Sequence, residues 1–153
     1  LKQGDLIVGV VVVVNALGDV VDPLSGRVIA GLRHPQNQGF LNSSDLILQG
    51  STEQIPPGTN TVLGVVATNA SLTKVQACRL AAQASLGLAR TIRPAHTSYD
   101  GDTIFALSYG SVQAHPDQVG IMAAECVARA VVRAVEQAWS LGGVPAACDL
   151  GKD

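Results

Sequence analysis

The unbroken apolar run from Leu6 to Val14, bounded by Asp5 and Asn15, constrains this chain more than any other feature. A membrane-spanning helix needs about twice that length, roughly 20 residues, so the run is too short to cross a bilayer. Val and Ile occupy both alternations along it, which predicts a central strand over residues 6 to 15 buried on both faces. A second run of the same kind, Thr61 to Thr68, predicts a second buried strand.

Between the two strands, residues 16 to 60 are rich in turn signals. Asp22-Pro23, Ser25-Gly26, His34-Pro35, Asn42-Ser43-Ser44 and Pro56-Pro57-Gly58 punctuate them. Short strands are expected around Arg27 to Ile29 and around Asp45 to Leu48. So long a polar stretch inside a compact domain points to a functional or disordered loop. After the second strand, Thr73 and Gln76 form a capping-box pattern that opens a helix, with Pro94 expected to end it. Thr103 to Tyr109 reads as a third strand, reached through Asp100-Gly101-Asp102.

The last helix opens with Pro116 at its first position. Its expected apolar stripe is Val119, Met122, Ala123, Cys126, Val127, Ala130, Ala134 and Ala138, with a Glu125–Arg129 pair outside and Gly142, Gly143 and Pro145 as the stop. The order from Thr61, strand, helix, strand, helix, gives an α/β chain with helices layered on a sheet.

Composition narrows the function classes. The chain has 153 residues, one domain's worth, with 47% hydrophobic and 14% charged residues. A net charge of -2 gives no electrostatic attraction to nucleic acid or to an anionic membrane, and 3% aromatic content leaves few stacking platforms. Cys78, Cys126 and Cys148 are odd in number and none is at CxxC spacing, so neither a disulfide framework nor a metal site is indicated. Cys78 and Cys126 sit in Ala-rich helical segments and are expected to be small buried hydrophobes. Free thiols fit a reducing cytoplasm. The opening Leu1-Lys2-Gln3-Gly4-Asp5, without an initiator Met and close to a strand, reads as a cut inside a larger protein.

Polar residues stand at the ends of the apolar strands. Asn15 ends the first, Thr61 begins the second, and Asp100 and Asp102 precede the third, so all four can converge on one rim of a sheet. Each also has an ordinary structural role as a turn or strand residue. His96, four residues before Asp100, invites a triad reading but reads rather as structuring the loop after Pro94. His34 and His115 read as loop and helix-start residues, and Arg90 and Arg93 as solvated bases near a helix C-terminus.

Four segments together resemble the DmpA aminopeptidase and nylon-oligomer hydrolase family. They run from Val13 to Val20, from Asn60 to Asn69, from Leu72 to Ala77 and from Pro94 to Leu107, with order and separations agreeing. The resemblance covers nearly the whole chain apart from the loop from about Leu32 to Gly58. It implies a layered αββα sandwich, shared with ornithine acetyltransferase, of which this chain is only part.

The resemblance also implies self-cleavage between Asn60 and Thr61, leaving Thr61 as the N-terminal nucleophile of an amide-bond hydrolase. Residues 1–60 then close an α subunit and residues 61–153 form a β subunit. Other candidate bonds, Gly50-Ser51, Ser51-Thr52 and Gly58-Thr59, do not abut the second strand. An N-terminal Thr is useful because its α-amine, with a pKa of about 7.7–8.0, can take the hydroxyl proton within one residue.

In this family pattern Asn15 holds substrate or donates to the oxyanion, and Asp100 and Asp102 match the acidic pair of the nylon-hydrolase branch, where the aminopeptidase branch has Ser and Glu. A Lys of that branch lies upstream of Leu1. The implied partners are a small amide or peptide substrate, an N-terminal segment of the same protein and further copies in a homo-oligomer. No cofactor is implied. The alternatives are ornithine acetyltransferase-like acyl transfer and a non-catalytic assembly module.

Overall fold

The computed structural model describes residues 1–36, 39–51 and 60–150. In chain order the elements are β1 (Lys2–Gln3), β2 (Leu6–Asn15), β3 (Asp19–Val21), β4 (Val28–Ala30), α1 (Ser43–Leu48), β5 (Thr61–Ala70), α2 (Lys74–Thr91), β6 (Ile92–Arg93), β7 (Thr103–Val112) and α3 (Pro116–Glu136), followed by a 3-10 turn at Ala147–Asp149. The three long strands and β1 form a sheet in the order β1-β2-β5-β7, with β2 antiparallel and β7 parallel to β5. Parallel neighbours need a crossover, and α2 supplies it between β5 and β7. A smaller sheet, β4-β3-β6, stands beside it.

Both long helices lie on one face of the larger sheet. Val8, Val62, Val66 and Ala70 from the strands pack there against Leu80, Ala84 and Leu88 of α2 and Val119, Ala123, Val127 and Val131 of α3. The expected capping box is present: Thr73 Oγ accepts the Gln76 N–H and the Gln76 side chain accepts the Thr73 N–H. The two helices approach closely at Gly87, where a Cβ would fall on the Ala124 carbonyl and the Val127 side chain.

Several expectations are corrected. The long strands are buried on one face only: Val11 and Val13 of β2, Leu63 and Val65 of β5, and Phe105 and Leu107 of β7 are exposed on the other, because both long helices pack on a single side. Residues around Asp45 form helix α1 rather than a strand, since Asn42 Oδ1 accepts the N–H groups of Ser44 and Asp45 and so caps a helix start. Cys78 is exposed, because the inward row of α2 is Leu80, Ala84, Leu88 and Thr91, and a residue two before Leu80 points away from it.

Helix α2 stops at Thr91, ahead of Pro94, where the chain turns into β6. In α3 the four-residue row through Val127, Val131 and Val135 faces the core, so Ala134 is exposed, and Ala138 lies beyond the last helical residue. The expected short strand near Arg27 is found as β4, one residue further along.

Candidate active site at the start of strand β5

The pairing of β2 with β5 sets Asn15 opposite Thr61. On β5 the even positions Val62, Gly64 and Val66 are buried against the helices, while Leu63 and Val65 face outwards. Alternation therefore puts Thr61, and Asn15 across from it, on the open face of the sheet. Asn60 makes a parallel bridge to Asp100, which brings the Asp100-Gly101-Asp102 turn beside the Asn60–Thr61 peptide.

Two donors meet on the Asn60 carbonyl oxygen. Thr61 Oγ donates to it at 2.7 Å and the Gly101 N–H donates to it at 2.9 Å. The hydroxyl of Thr61 is thus folded back over the peptide bond that precedes it.

The two carboxylates are placed differently. Asp102 is almost fully enclosed, with its side chain 4% exposed; Oδ1 accepts the Val62 N–H at 2.8 Å, and Oδ2 lies 3.3 Å from His96 Nδ1. It therefore anchors the residue next to Thr61 rather than touching Thr61 Oγ. Asp100 turns its Oδ2 to the N–H and hydroxyl of Thr97, both at 2.8 Å, and so rigidifies the loop before β7. Of the four residues singled out from the sequence, Thr61 and Asn15 face each other across strands, Asp102 holds the neighbouring residue and Asp100 holds the adjoining loop. Thr52, Gly58 and Thr59 of the rival bonds lie outside the described residues.

Sequence reasoning gave His96 only a loop role and passed over Gly101 and Asp19. His96 reaches Asp102 from a backbone in the left-handed region, φ 57°, which is uncommon for a residue with a Cβ. Gly101 supplies the N–H on the Asn60 carbonyl, and nothing in an Asp-Gly-Asp turn announces that use. Asp19, buried at the start of β3, accepts the N–H groups of Leu32 and Ser43 and the Ser43 hydroxyl, tying the loop after β4 to the smaller sheet.

The remaining candidates are accounted for locally. His115 caps α3 through the Asp117 N–H, His34 accepts the Gln36 N–H, and Arg90 pairs with Glu125.

A cleft of about 300 Å³ opens beside Asn60, walled mainly by Val14, Leu17, Val20 and Leu32. Among the described residues no group of three or more His, Cys, Asp or Glu side chains is arranged to hold a metal. Nor is any helix among them long and apolar enough to cross a membrane.

An uncharacterized aminopeptidase of Mycobacterium leprae is 41% identical over 165 residues, covering 94% of this chain and 44% of that protein. One from Mycobacterium tuberculosis is 38% identical over 170 residues, covering 97% of this chain and 49% of its own length. A 6-aminohexanoate-oligomer endohydrolase of Paenarthrobacter ureafaciens is 33% identical over 110 residues, 70% of this chain and 31% of that enzyme. The chain thus spans less than half the length of the relatives it matches. Residues 1–147 match peptidase family S58, and the chain, a mixed α/β structure with an open-faced sheet, belongs to that family.

Proposed function

We propose that the protein is an amide-bond hydrolase that cuts its own backbone between Asn60 and Thr61 and then uses Thr61 as an N-terminal nucleophile. The observation that carries this reading is the position of Thr61 Oγ, 2.7 Å from the carbonyl oxygen of the bond to be cut and at the first residue of a strand. Cleavage there frees an α-amine on the same residue as the hydroxyl. That amine serves as base for attack on a substrate carbonyl, giving a Thr61 ester that water hydrolyses to release an acid after the amine has left. General-base help of this kind is worth about 10²–10⁴ in rate.

Asn15, opposite Thr61 on the open face, is suited to donate its amide N–H groups to the substrate's oxyanion. Asp102 keeps Val62, and with it Thr61, in register. Residues 1–60 and 61–153 become two subunits, and the apolar open face of the sheet is the surface on which a second sheet would complete an αββα sandwich. The names of the relatives, aminopeptidase and 6-aminohexanoate-oligomer endohydrolase, favour a peptide or short oligoamide as substrate.

The test is intact-mass analysis of the protein beside its Thr61→Ala variant. A fragment beginning at Thr61 in the first and a whole chain in the second are expected. A new N-terminus at any other residue would sink the nucleophile assignment.

A further inference from the structure

We propose that the Gly101 backbone N–H is the oxyanion donor for cleavage of the Asn60–Thr61 bond, and that residue 101 lacks a side chain because the Thr61 hydroxyl occupies its place. This rests on the self-cleavage reading and assigns to it a group that the sequence motif does not reveal.

The first half follows from where charge develops. When Thr61 Oγ bonds to the Asn60 carbonyl carbon, the π pair of that carbonyl moves onto its oxygen. The Gly101 N–H already points at this oxygen from 2.9 Å, within the range that stabilises an oxyanion. It is held from both sides: Asp100 is fixed to Thr97 by its carboxylate and by its own N–H, and Asp102 is fixed to Val62. The donor therefore needs little reorganisation as the charge appears.

The tetrahedral adduct then collapses. The C–N bond breaks, the Thr61 nitrogen gains a proton to balance the one lost from Oγ, and an ester joins Asn60 to Thr61 Oγ. Water hydrolyses the ester to the Asn60 carboxylate and the free Thr61 hydroxyl. Gly101 keeps its proton throughout.

The second half follows from space. A Cβ on residue 101 would lie 2.8 Å from Thr61 Oγ, and 3.8 Å from Thr61 Cβ and Cγ2. Only the hydroxyl is crowded, so relief requires rotating the nucleophile away or pulling the donor back. The backbone at Gly101 is not in the left-handed region, where glycines 4, 26, 50, 142 and 143 sit, so chain conformation alone does not require glycine there.

Two variants separate the halves. Replacing Gly101 by glycolic acid exchanges its N–H for an ester oxygen and adds no side chain; Gly101→Ala keeps the N–H and adds the methyl. Cleavage of freshly folded precursor is followed by intact mass. Circular dichroism and native size are matched to Thr61→Ala, so that only folded protein is compared. The glycolate variant should cleave about 10²–10³-fold more slowly, the usual loss for one oxyanion donor. Gly101→Ala should cleave at least tenfold more slowly.

Wild-type protein that cleaves while the glycolate variant keeps pace within threefold overturns the donor role. Gly101→Ala keeping pace within threefold overturns the steric one. Wild-type protein that never yields a Thr61 terminus overturns the self-cleavage reading itself, a result distinct from either.

Discussion

Substituting Asp102 by Asn removes a negative charge and puts an NH₂ where one carboxylate oxygen stood. The carboxylate accepts the Val62 N–H at Oδ1, and its Oδ2 lies 3.3 Å from His96 Nδ1. In this enclosed position the loss of the charge weakens the bond that holds Val62, at a cost of about 1–3 kcal/mol. On the proposed self-cleavage, Asp102→Asn should lower thermal stability and slow cleavage at Asn60 by at least tenfold, read by melting and by intact mass; near-normal cleavage would leave Asp102 only the role of a turn anchor. His96 is half exposed, so His96→Gln should be milder, slowing cleavage several-fold at most. Asp100→Asn leaves an oxygen for Thr97 and should be milder still in melting temperature.

Two interactions between α2 and α3 can be tested at the scale of elements. Gly87 lets α2 lie against the Ala124 carbonyl and Val127, so Gly87→Ala must spread the helices, at a cost of about 1–3 kcal/mol in chemical denaturation. On the rim, Glu125 accepts from Arg129 at 2.8 Å and Arg90 at 3.0 Å, and those hydrogen bonds, Arg129's first, hold its carboxyl below the ordinary value of 4.5. A carboxylate lowered on folding contributes stability fully above its unfolded pKa. That contribution is lost as pH falls through the lower folded value. Glu125→Gln should thus cost roughly 0.2–1 kcal/mol at pH 7, and the difference from wild type should shrink as pH falls through the lowered folded value in melting experiments.

These elements also show what the sequence conveys. The capping box at Thr73 and Gln76, Pro116 at the start of α3 and the Glu125–Arg129 pair are local patterns, and each appears in the structure. Helix α1 was hidden because four residues, Asp45 to Leu48, carry too little period to separate strand from helix; the deciding signal is the Asn42 cap before them. The placement of Cys78 depends on which helical row faces inwards, and an Ala-rich helix marks that row weakly.

For the whole molecule, valines on both alternations of β2 and β5 signalled burial on two sides, yet this chain supplies helices for one. The open face carries Val11, Val13, Leu63, Val65, Phe105 and Leu107. A contiguous apolar surface of this kind is uncommon on a lone soluble chain. On the proposed sandwich architecture, Val65→Glu with Phe105→Glu should leave α2, α3 and their core folded but abolish assembly, checked by circular dichroism and native size together. Assembly unchanged by both charges would show that the face is not a packing surface. Asn15, Thr61, Asp100 and Asp102 stand at strand ends in the structure as in the sequence, and it is the family resemblance, not that position, that singles them out. Their division of labour could not be read from the sequence, since it depends on which oxygen each donor meets.

The antiparallel pairing of β2 with β5 bears on what a cut after Asn60 would leave behind. It runs without interruption from Val8 against Thr68 to Asn15 against Thr61. The two pieces are thus interleaved as adjacent strands, with α3 of one piece packed on β2 of the other. Severing the chain would remove a covalent link but not a single strand pairing, so the products would travel as one particle in native sizing and separate only in denaturant. Unfolding would then be irreversible in practice: once parted, the fragments must find each other again to rebuild the sheet, so the cut molecule would be lost at its first complete unfolding where its uncut parent could refold many times.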